Sequence, residues 1–141
     1  MKLSKLVEAY NVINAVLAQY RDGKLFLSVP AQFRLTAAAR AAEPFFQQYR
    51  SQLLEFLKEF GELDEKNDQY SIKQESPNRP QFDLKFNQLK DEDVDIEFKT
   101  ITVEDFEGTI IVKDGDKSTL VRPQIELALI VGLLEAGIIK E

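Results

Sequence analysis

The chain has 141 residues, with 24 acidic and 18 basic side chains, a net charge of −6, and neither cysteine nor histidine. This length suits one domain without covalent staples, and the missing residue types exclude disulfides, thiolate or imidazole metal sites, and cysteine or histidine catalysis. We therefore predict a single domain over residues 1–141 that is not an enzyme and carries no cofactor or metal. No apolar run approaches the ~20 residues that span a bilayer, so we expect an intracellular protein without membrane contact.

The acidity is concentrated in the middle of the chain. Residues 62–107 hold 6 basic and 14 acidic side chains, a net charge of −8, whereas residues 1–61 carry +3. Binding of nucleic acid phosphates needs clustered lysine and arginine, so this distribution argues against direct nucleic acid contact. A solvated surface that aids solubility is the simplest interpretation. The alternative is a face that contacts a basic protein or mimics nucleic acid.

A helical hairpin is predicted over residues 4–61. Its first helix should run from about Lys5 to Tyr20, with Ser4 as the N-cap, and a turn follows at 21–24. Apolar residues recur at steps of three and four and require a partner. They are Leu3, Leu6, Tyr10, Ile13, Leu17 and Tyr20.

The second helix is predicted over residues 30–60, started by Ser28 before a proline and ended by Gly61 as a left-handed cap. Pro44 either kinks this helix or divides it into two. Five large residues should form its core face: Phe45, Tyr49, Leu53, Phe56 and Phe60.

The rest of the chain is predicted to hold a polar acidic loop and a small α+β part. The loop covers residues 62–79, with room for one short strand, and the α+β part covers 80–141. A short third helix should follow the cap sequence Asn78-Arg79-Pro80. Alternating apolar and charged residues then predict a strand over 94–101 with one buried face.

A β-hairpin is predicted around Asp114-Gly115, between strands at 109–112 and 118–121. A capped turn with Thr102 and Asp105 should precede it. Together with the strand at 94–101, the hairpin would form a small antiparallel sheet. The expected fold class is therefore helix-dominated α+β.

The last helix is predicted to start at Arg122-Pro123, to run to about Ala136 and to be capped by Gly137; after its first residue only Glu126 and Glu135 are charged, and they lie on opposite faces. It is either packed on most sides inside the monomer or shared between its own fold and an interface. For an interface the candidate residues are Ile125, Leu129, Val131 and Leu133.

An acidic cluster provides the second candidate site. Alternation places Asp93, Asp95 and Glu97 on one face of the predicted strand. Carboxylates there could bind a hard cation such as magnesium, but the wet face of an exposed strand is the simpler explanation. For a charged protein contact the candidates are Asp91, Glu92, Asp93, Asp95 and Glu97.

Several short motifs resemble a family of small tailed-phage and prophage proteins, domain of unknown function 1617. They are Leu27-Ser28-Val29, Phe33-Arg34-Leu35, Ala42-Glu43-Pro44, the stretch 49–62, Phe82 with Phe86-Asn87-Gln88-Leu89, and Val94-Asp95-Ile96-Glu97. The resemblance covers roughly residues 5–106 and does not extend to the hairpin or the last helix. It implies a phage or prophage origin, in the host cytoplasm or the virion, and no assigned activity.

Two functions from different classes follow. The first is a non-enzymatic accessory or virion-associated protein that acts by protein–protein contact, with itself or with a phage or host protein. The second is an inhibitor of a host defence or nucleic acid enzyme, comparable to an anti-CRISPR protein, that uses the acidic residues 62–107 as a decoy.

Overall fold

The computed structural model describes residues 1–140 and confirms a helix-dominated α+β fold. Four α-helices are described: α1 (Leu3–Arg21), α2 (Val29–Phe60), α3 (Arg79–Lys90) and α4 (Leu127–Glu135). The strands are β1 (Glu62–Asp64), β2 (Gln69–Ser71), β3 (Ile110–Asp114) and β4 (Lys117–Val121), and they form two separate antiparallel hairpins, β1–β2 and β3–β4. A 3₁₀ turn covers Val103–Phe106.

The N-terminal helical hairpin is present, but α1 begins earlier than predicted. Ser4 is not its cap, because Lys2 forms an isolated β-bridge with Asp93 and the Leu3 amide donates to the Glu92 carbonyl at 2.8 Å. A tertiary backbone partner thus replaces the side-chain cap that the sequence suggested. The predicted apolar stripe of α1 is confirmed, since Leu6 and Ile13 are fully buried against α2.

Helix α2 is one continuous helix of 32 residues, about 48 Å long. The alternative of two helices divided at Pro44 is therefore wrong. Pro44 and Arg40, whose carbonyl loses its intrahelical donor, both lie on the exposed side, where water can hydrogen-bond to that carbonyl. At the start of the helix, the predicted cap is confirmed because Ser28 Oγ accepts a hydrogen bond from the Ala31 amide at 3.2 Å.

The fully buried part of α2 is its N-terminal half, where small residues face α1. These residues are Ala31, Leu35, Ala38, Ala39 and Ala42. The predicted aromatic core face of the C-terminal half is only half-buried, although Phe45 and Tyr49 pack against the cluster around Leu6 and the half as a whole contacts α3 and the β1–β2 hairpin. Tyr49 meets Phe86 edge to face with ring centroids 6.1 Å apart, and the Lys85 ammonium lies 5.2 Å from the Phe60 ring.

Gly61 ends α2, but its predicted left-handed conformation is wrong. Its backbone is extended, with φ −98° and ψ −168°. A Cβ at this position would lie 2.6 Å from the Leu57 carbonyl oxygen and would also clash with the Ser71 carbonyl oxygen. Glycine is therefore required here by the close approach of β2 rather than by a positive φ. The predicted loop after Gly61 instead contains the β1–β2 hairpin.

The predicted strand at 94–101 is wrong as a strand, although its burial alternation is correct. Val94, Ile96 and Phe98 pack against a cluster that includes Leu6, while the residues between them are exposed. The segment lies on helix side chains, and helices offer no free backbone groups for a ladder. Its backbone hydrogen-bonds near its ends, to Met1, to residues 138–140 and to the Arg34 side chain, which donates to the Thr100 carbonyl. No three-stranded sheet forms in the part of the chain described.

The turn before the β3–β4 hairpin is confirmed. Thr102 and Asp105 form a reciprocal capping box at the 3₁₀ turn. The hairpin itself is also confirmed, with a two-residue turn at Gly115-Asp116 and Gly115 at φ +61°. None of the helices within residues 1–140 is both long enough and apolar enough to cross a bilayer.

Candidate interaction surface

Helix α4 begins four residues later than predicted, at Leu127. Residues 122–126 are not helical, and Pro123 disfavours helical geometry at the residue before it, Arg122. The C-terminal end follows the prediction, with Gly137 at φ +74°. The Ile138 amide donates to the Leu133 carbonyl at 2.9 Å and the Gly137 amide to the Leu134 carbonyl at 3.0 Å, which is a Schellman motif.

The inner side of α4 packs against α1 and the core. Leu133 is fully buried and cannot reach a partner, so its assignment to an interface is wrong. Gly132 lets the two helices approach, since a Cβ there would lie 2.9 Å from Val12 Cγ2. Ile125 and Leu129, also predicted for an interface, are partly buried and pack against the same core.

The outer side of α4 is apolar and exposed. At 100° per residue, Leu127, Val131 and Leu134 lie within about 60° of one another on the helix. Leu127 is 75% exposed and Val131 42% exposed. Of the four predicted interface residues, only Val131 belongs to this outer side. Leu127 and Leu134 were missed because an almost wholly apolar helix does not reveal from its residues alone which side faces the core.

The β3–β4 hairpin is the second exposed apolar element. Ile111 is 63% exposed and Leu120, directly opposite on β4, is 70% exposed. No other helix or strand of the described chain packs substantially against the hairpin. Together with the outer side of α4, it forms what we term the C-terminal apolar surface. This surface comprises Ile111, Val112, Leu120, Val121, Leu127, Val131 and Leu134.

A cleft of about 790 Å³ lies where the hairpin meets α4. Thr109 and Arg122 line it from the base of the hairpin, Ile125 and Ile130 from the α4 side, and Phe106 from the 3₁₀ turn. Its lining is mixed in character, and it contains no buried charged or polar side chain aimed inwards. The cleft separates the base of the hairpin from the beginning of α4, and none of the seven residues of the C-terminal apolar surface lines it.

Asp105 ties this region to the start of α2. Ser28 Oγ donates to the Asp105 carboxylate at 2.6 Å, and the Ser28 amide donates to the Asp105 backbone oxygen at 2.8 Å. The Thr102 amide donates to the Asp105 carboxylate at 2.8 Å. Burial alone would raise the pKa of Asp105. The hydrogen bonds from Ser28 and Thr102, with the positive charge of Arg34, outweigh burial and lower that pKa below its ordinary value of 3.8.

The acidic cluster lies on the segment after α3, and all five of its carboxylates are exposed. Asp91 forms an ion pair with Lys2 at 3.2 Å, and both side chains are largely solvated. Glu92 and Asp93 contribute backbone contacts to the beginning of α1. Within residues 1–140, no three acidic side chains lie close enough together to bind one metal ion. The geometry therefore does not support the magnesium alternative.

Comparison of the sequence with protein-family models, curated proteins and solved structures finds no match. The resemblance to domain of unknown function 1617 therefore stays a prediction.

Proposed function

We propose that the protein acts by protein–protein contact, without catalytic chemistry of its own, and that it self-associates through the C-terminal apolar surface. The distribution of exposed apolar side chains supports this proposal. Seven of the 13 large hydrophobic residues that are exposed lie on this surface, in less than a fifth of the chain. Exposed apolar residues concentrated in this way, here on both faces of the hairpin and on the outer side of α4, mark interaction sites in soluble proteins.

The biological setting follows from the sequence resemblance. We propose a phage or prophage accessory or virion-associated protein, in the host cytoplasm or the virion, that contacts neither nucleic acid nor membrane. An apolar contact between copies would suit a protein that works as part of an assembly. Its strength would depend little on ionic strength, since hydrophobic burial is not screened by salt.

Molar mass in solution tests this proposal, by light scattering after size exclusion at low and high salt. We expect a salt-resistant oligomer. Two double variants, Leu127→Ser with Val131→Ser and Ile111→Ser with Leu120→Ser, probe the two parts of the surface. The control is Leu84→Ser, which removes an exposed leucine from α3, far along the chain from this surface. At least one double variant should dissociate the oligomer while the control does not.

A wild-type chain that is monomeric at every concentration and salt would refute self-association. So would an oligomer that persists equally in both double variants and in the control. Circular dichroism should show unchanged helix content in all three variants, because every substituted residue is exposed.

The second candidate function is the acidic decoy. Its supporting observation is that all five carboxylates between Asp91 and Glu97 face solvent, and that only Asp91 has an ion-pair partner among the described residues. A decoy contact should weaken steeply with salt. Reversal of Asp95 and Glu97 to lysine should abolish it. Partner binding that is insensitive to both changes would exclude the decoy.

A further inference from the structure

The β3–β4 hairpin has two unpaired edges and two solvent-exposed faces. Its strands pair only with each other, and nine of its ten residues are exposed. An isolated two-stranded hairpin is marginally stable in water and gains stability from further strands or a covering element. Neither strand contains a proline, and the register has no bulge, so nothing in the backbone blocks an added strand.

The two-residue turn determines which backbone groups point outward. It closes on the hydrogen-bonded pair Asp114 and Lys117, and such pairs alternate with non-hydrogen-bonded ones along the ladder. Ile111 and Lys113 on β3 therefore occupy non-hydrogen-bonded positions, as does Ser118 on β4. Their N–H and C=O groups point away from the neighbouring strand, along the free edges.

We propose that two copies of the chain pair through their free β3 edges, about a twofold axis at Ile111, and form a four-stranded antiparallel sheet. This inference rests on the proposed function, self-association through the C-terminal apolar surface, and it names the segment and the geometry. Ile111 lies opposite the partner's Ile111, and Thr109 lies opposite the partner's Lys113. Two hydrogen bonds at each of three such pairs give about six in total.

Side-chain matching favours this register over its neighbours. Directly opposite residues share a face, so Leu120 and Ile111 of each copy form a row of four large apolar side chains. On the other face, Ile110 lies opposite the partner's Val112. An axis at Val112 would instead put Lys113 opposite the partner's Ile111, and an axis at Lys113 would put two lysines opposite each other. Only the axis at Ile111 places Ile110, Ile111 and Val112 all opposite apolar residues, with Thr109 opposite the partner's Lys113.

The contact between two such short edges is small compared with standard interfaces, which bury about 1,200–2,000 Å². The dimer is therefore weak and dependent on concentration. We infer a second copy as the partner, because β3 of that copy can form hydrogen bonds with the free β3 edge in the twofold register, and no like charges lie opposite each other.

A matched pair of proline variants tests the edge. Lys113→Pro removes an outward N–H from β3, and Ser118→Pro makes the same change at the facing residue of β4. Neither touches the β3–β4 ladder, because both N–H groups point away from it. In analytical ultracentrifugation we expect Lys113→Pro to weaken the dimer about tenfold or more and Ser118→Pro to leave it unchanged. Equal effects of the two variants, or loss in Ser118→Pro alone, would overturn the proposal.

Single cysteines provide a second, independent readout, since the chain contains none. In the proposed sheet the two Ile111 Cα atoms are about 5.5 Å apart, within the ~4.4–6.8 Å range of disulfides. The two Leu120 Cα atoms are three strand spacings apart, about 14 Å, which is too far. Mild oxidation should link Ile111→Cys into a covalent dimer and leave Leu120→Cys monomeric under denaturing conditions. The reverse pattern would assign the contact to β4 and reject β3.

Failure of this arrangement and failure of the proposed function give different results. An oligomer that survives Lys113→Pro but dissociates on Leu127→Ser with Val131→Ser keeps the proposed function and rejects edge pairing. Absence of any oligomer up to high micromolar concentration rejects both.

Discussion

Replacing Leu133 by alanine tests the division of α4 into an inner and an outer side. Leu133 is fully buried, and the close approach of α4 to α1 at Gly132 leaves little room for the site to collapse. Core Leu→Ala changes cost about 2–5 kcal/mol, and because this site cannot collapse we expect a loss of at least about 3 kcal/mol. With a urea m-value of about 2 kcal/mol/M, the unfolding midpoint should fall by about 1.5 M.

The matched control is Val131→Ala, two residues away on the outer side. Its side chain is 42% exposed, so the free energy of unfolding of the monomer should change by less than about 0.5 kcal/mol. Urea unfolding followed by circular dichroism, at a concentration where wild type is monomeric, measures both variants. A loss below about 1 kcal/mol for Leu133→Ala, or equal losses for the two variants, would contradict this assignment of sides.

Three further predictions concern the backbone and one carboxylate. Gly61→Ala should lower the free energy of unfolding by about 2 kcal/mol or more, and Gly61→Asn by no less, because any Cβ at this position meets backbone atoms. At Gly137, where φ is positive, alanine should cost about 1–2 kcal/mol and asparagine less, because asparagine tolerates the left-handed conformation. Urea unfolding of the four variants compares these losses. Pro44→Ala should raise the free energy of unfolding by roughly 1–3 kcal/mol, since it restores a donor to Arg40 within a continuous helix; a fall in the urea midpoint would show that the proline is required. The pKa of Asp105 is lower in the folded than in the unfolded protein, so its carboxylate stabilises the fold fully above the unfolded pKa near 3.8, and this stabilisation is lost as the pH falls through the folded pKa. Asp105→Asn should therefore lower the free energy of unfolding by about 1 kcal/mol at neutral pH and reduce the pH dependence of the melting temperature below about pH 4. If the melting temperature of Asp105→Asn falls with pH below about pH 4 as steeply as that of the wild type, Asp105 does not have this stabilising role.

Local patterns predicted the presence of all four helices, and they predicted correctly those helix ends that are closed by local bonds. Ser28 caps α2 and Gly137 ends α4 through bonds to residues within a few positions, so sequence spacing contains the necessary information. Gly61 shows the limit of this approach. A glycine after a helix usually indicates a left-handed cap, but here it accommodates β2, and the sequence does not show which distant backbone will come close.

The strand predicted at 94–101 failed for a related reason. Alternation reports which side chains face an apolar surface, and it did so correctly for Val94, Ile96 and Phe98. It does not report whether that surface is a strand or a helix, and here it is formed by helices. Likewise, an almost wholly apolar α4 does not reveal its inner side, so Leu133 and Val131 could not be separated before their surroundings were known.

The same packing helps to choose between the two proposed functions. Apolar residues hold the segment 94–98 against the helices, so the acidic residues between them must face solvent whether or not a partner exists. The fold therefore explains the exposed carboxylates by itself. It offers no comparable explanation for Ile111, Leu120 and Leu127, whose exposure loses the hydrophobic free energy that burial would provide. That asymmetry favours an apolar contact at the C-terminal surface over an acidic decoy.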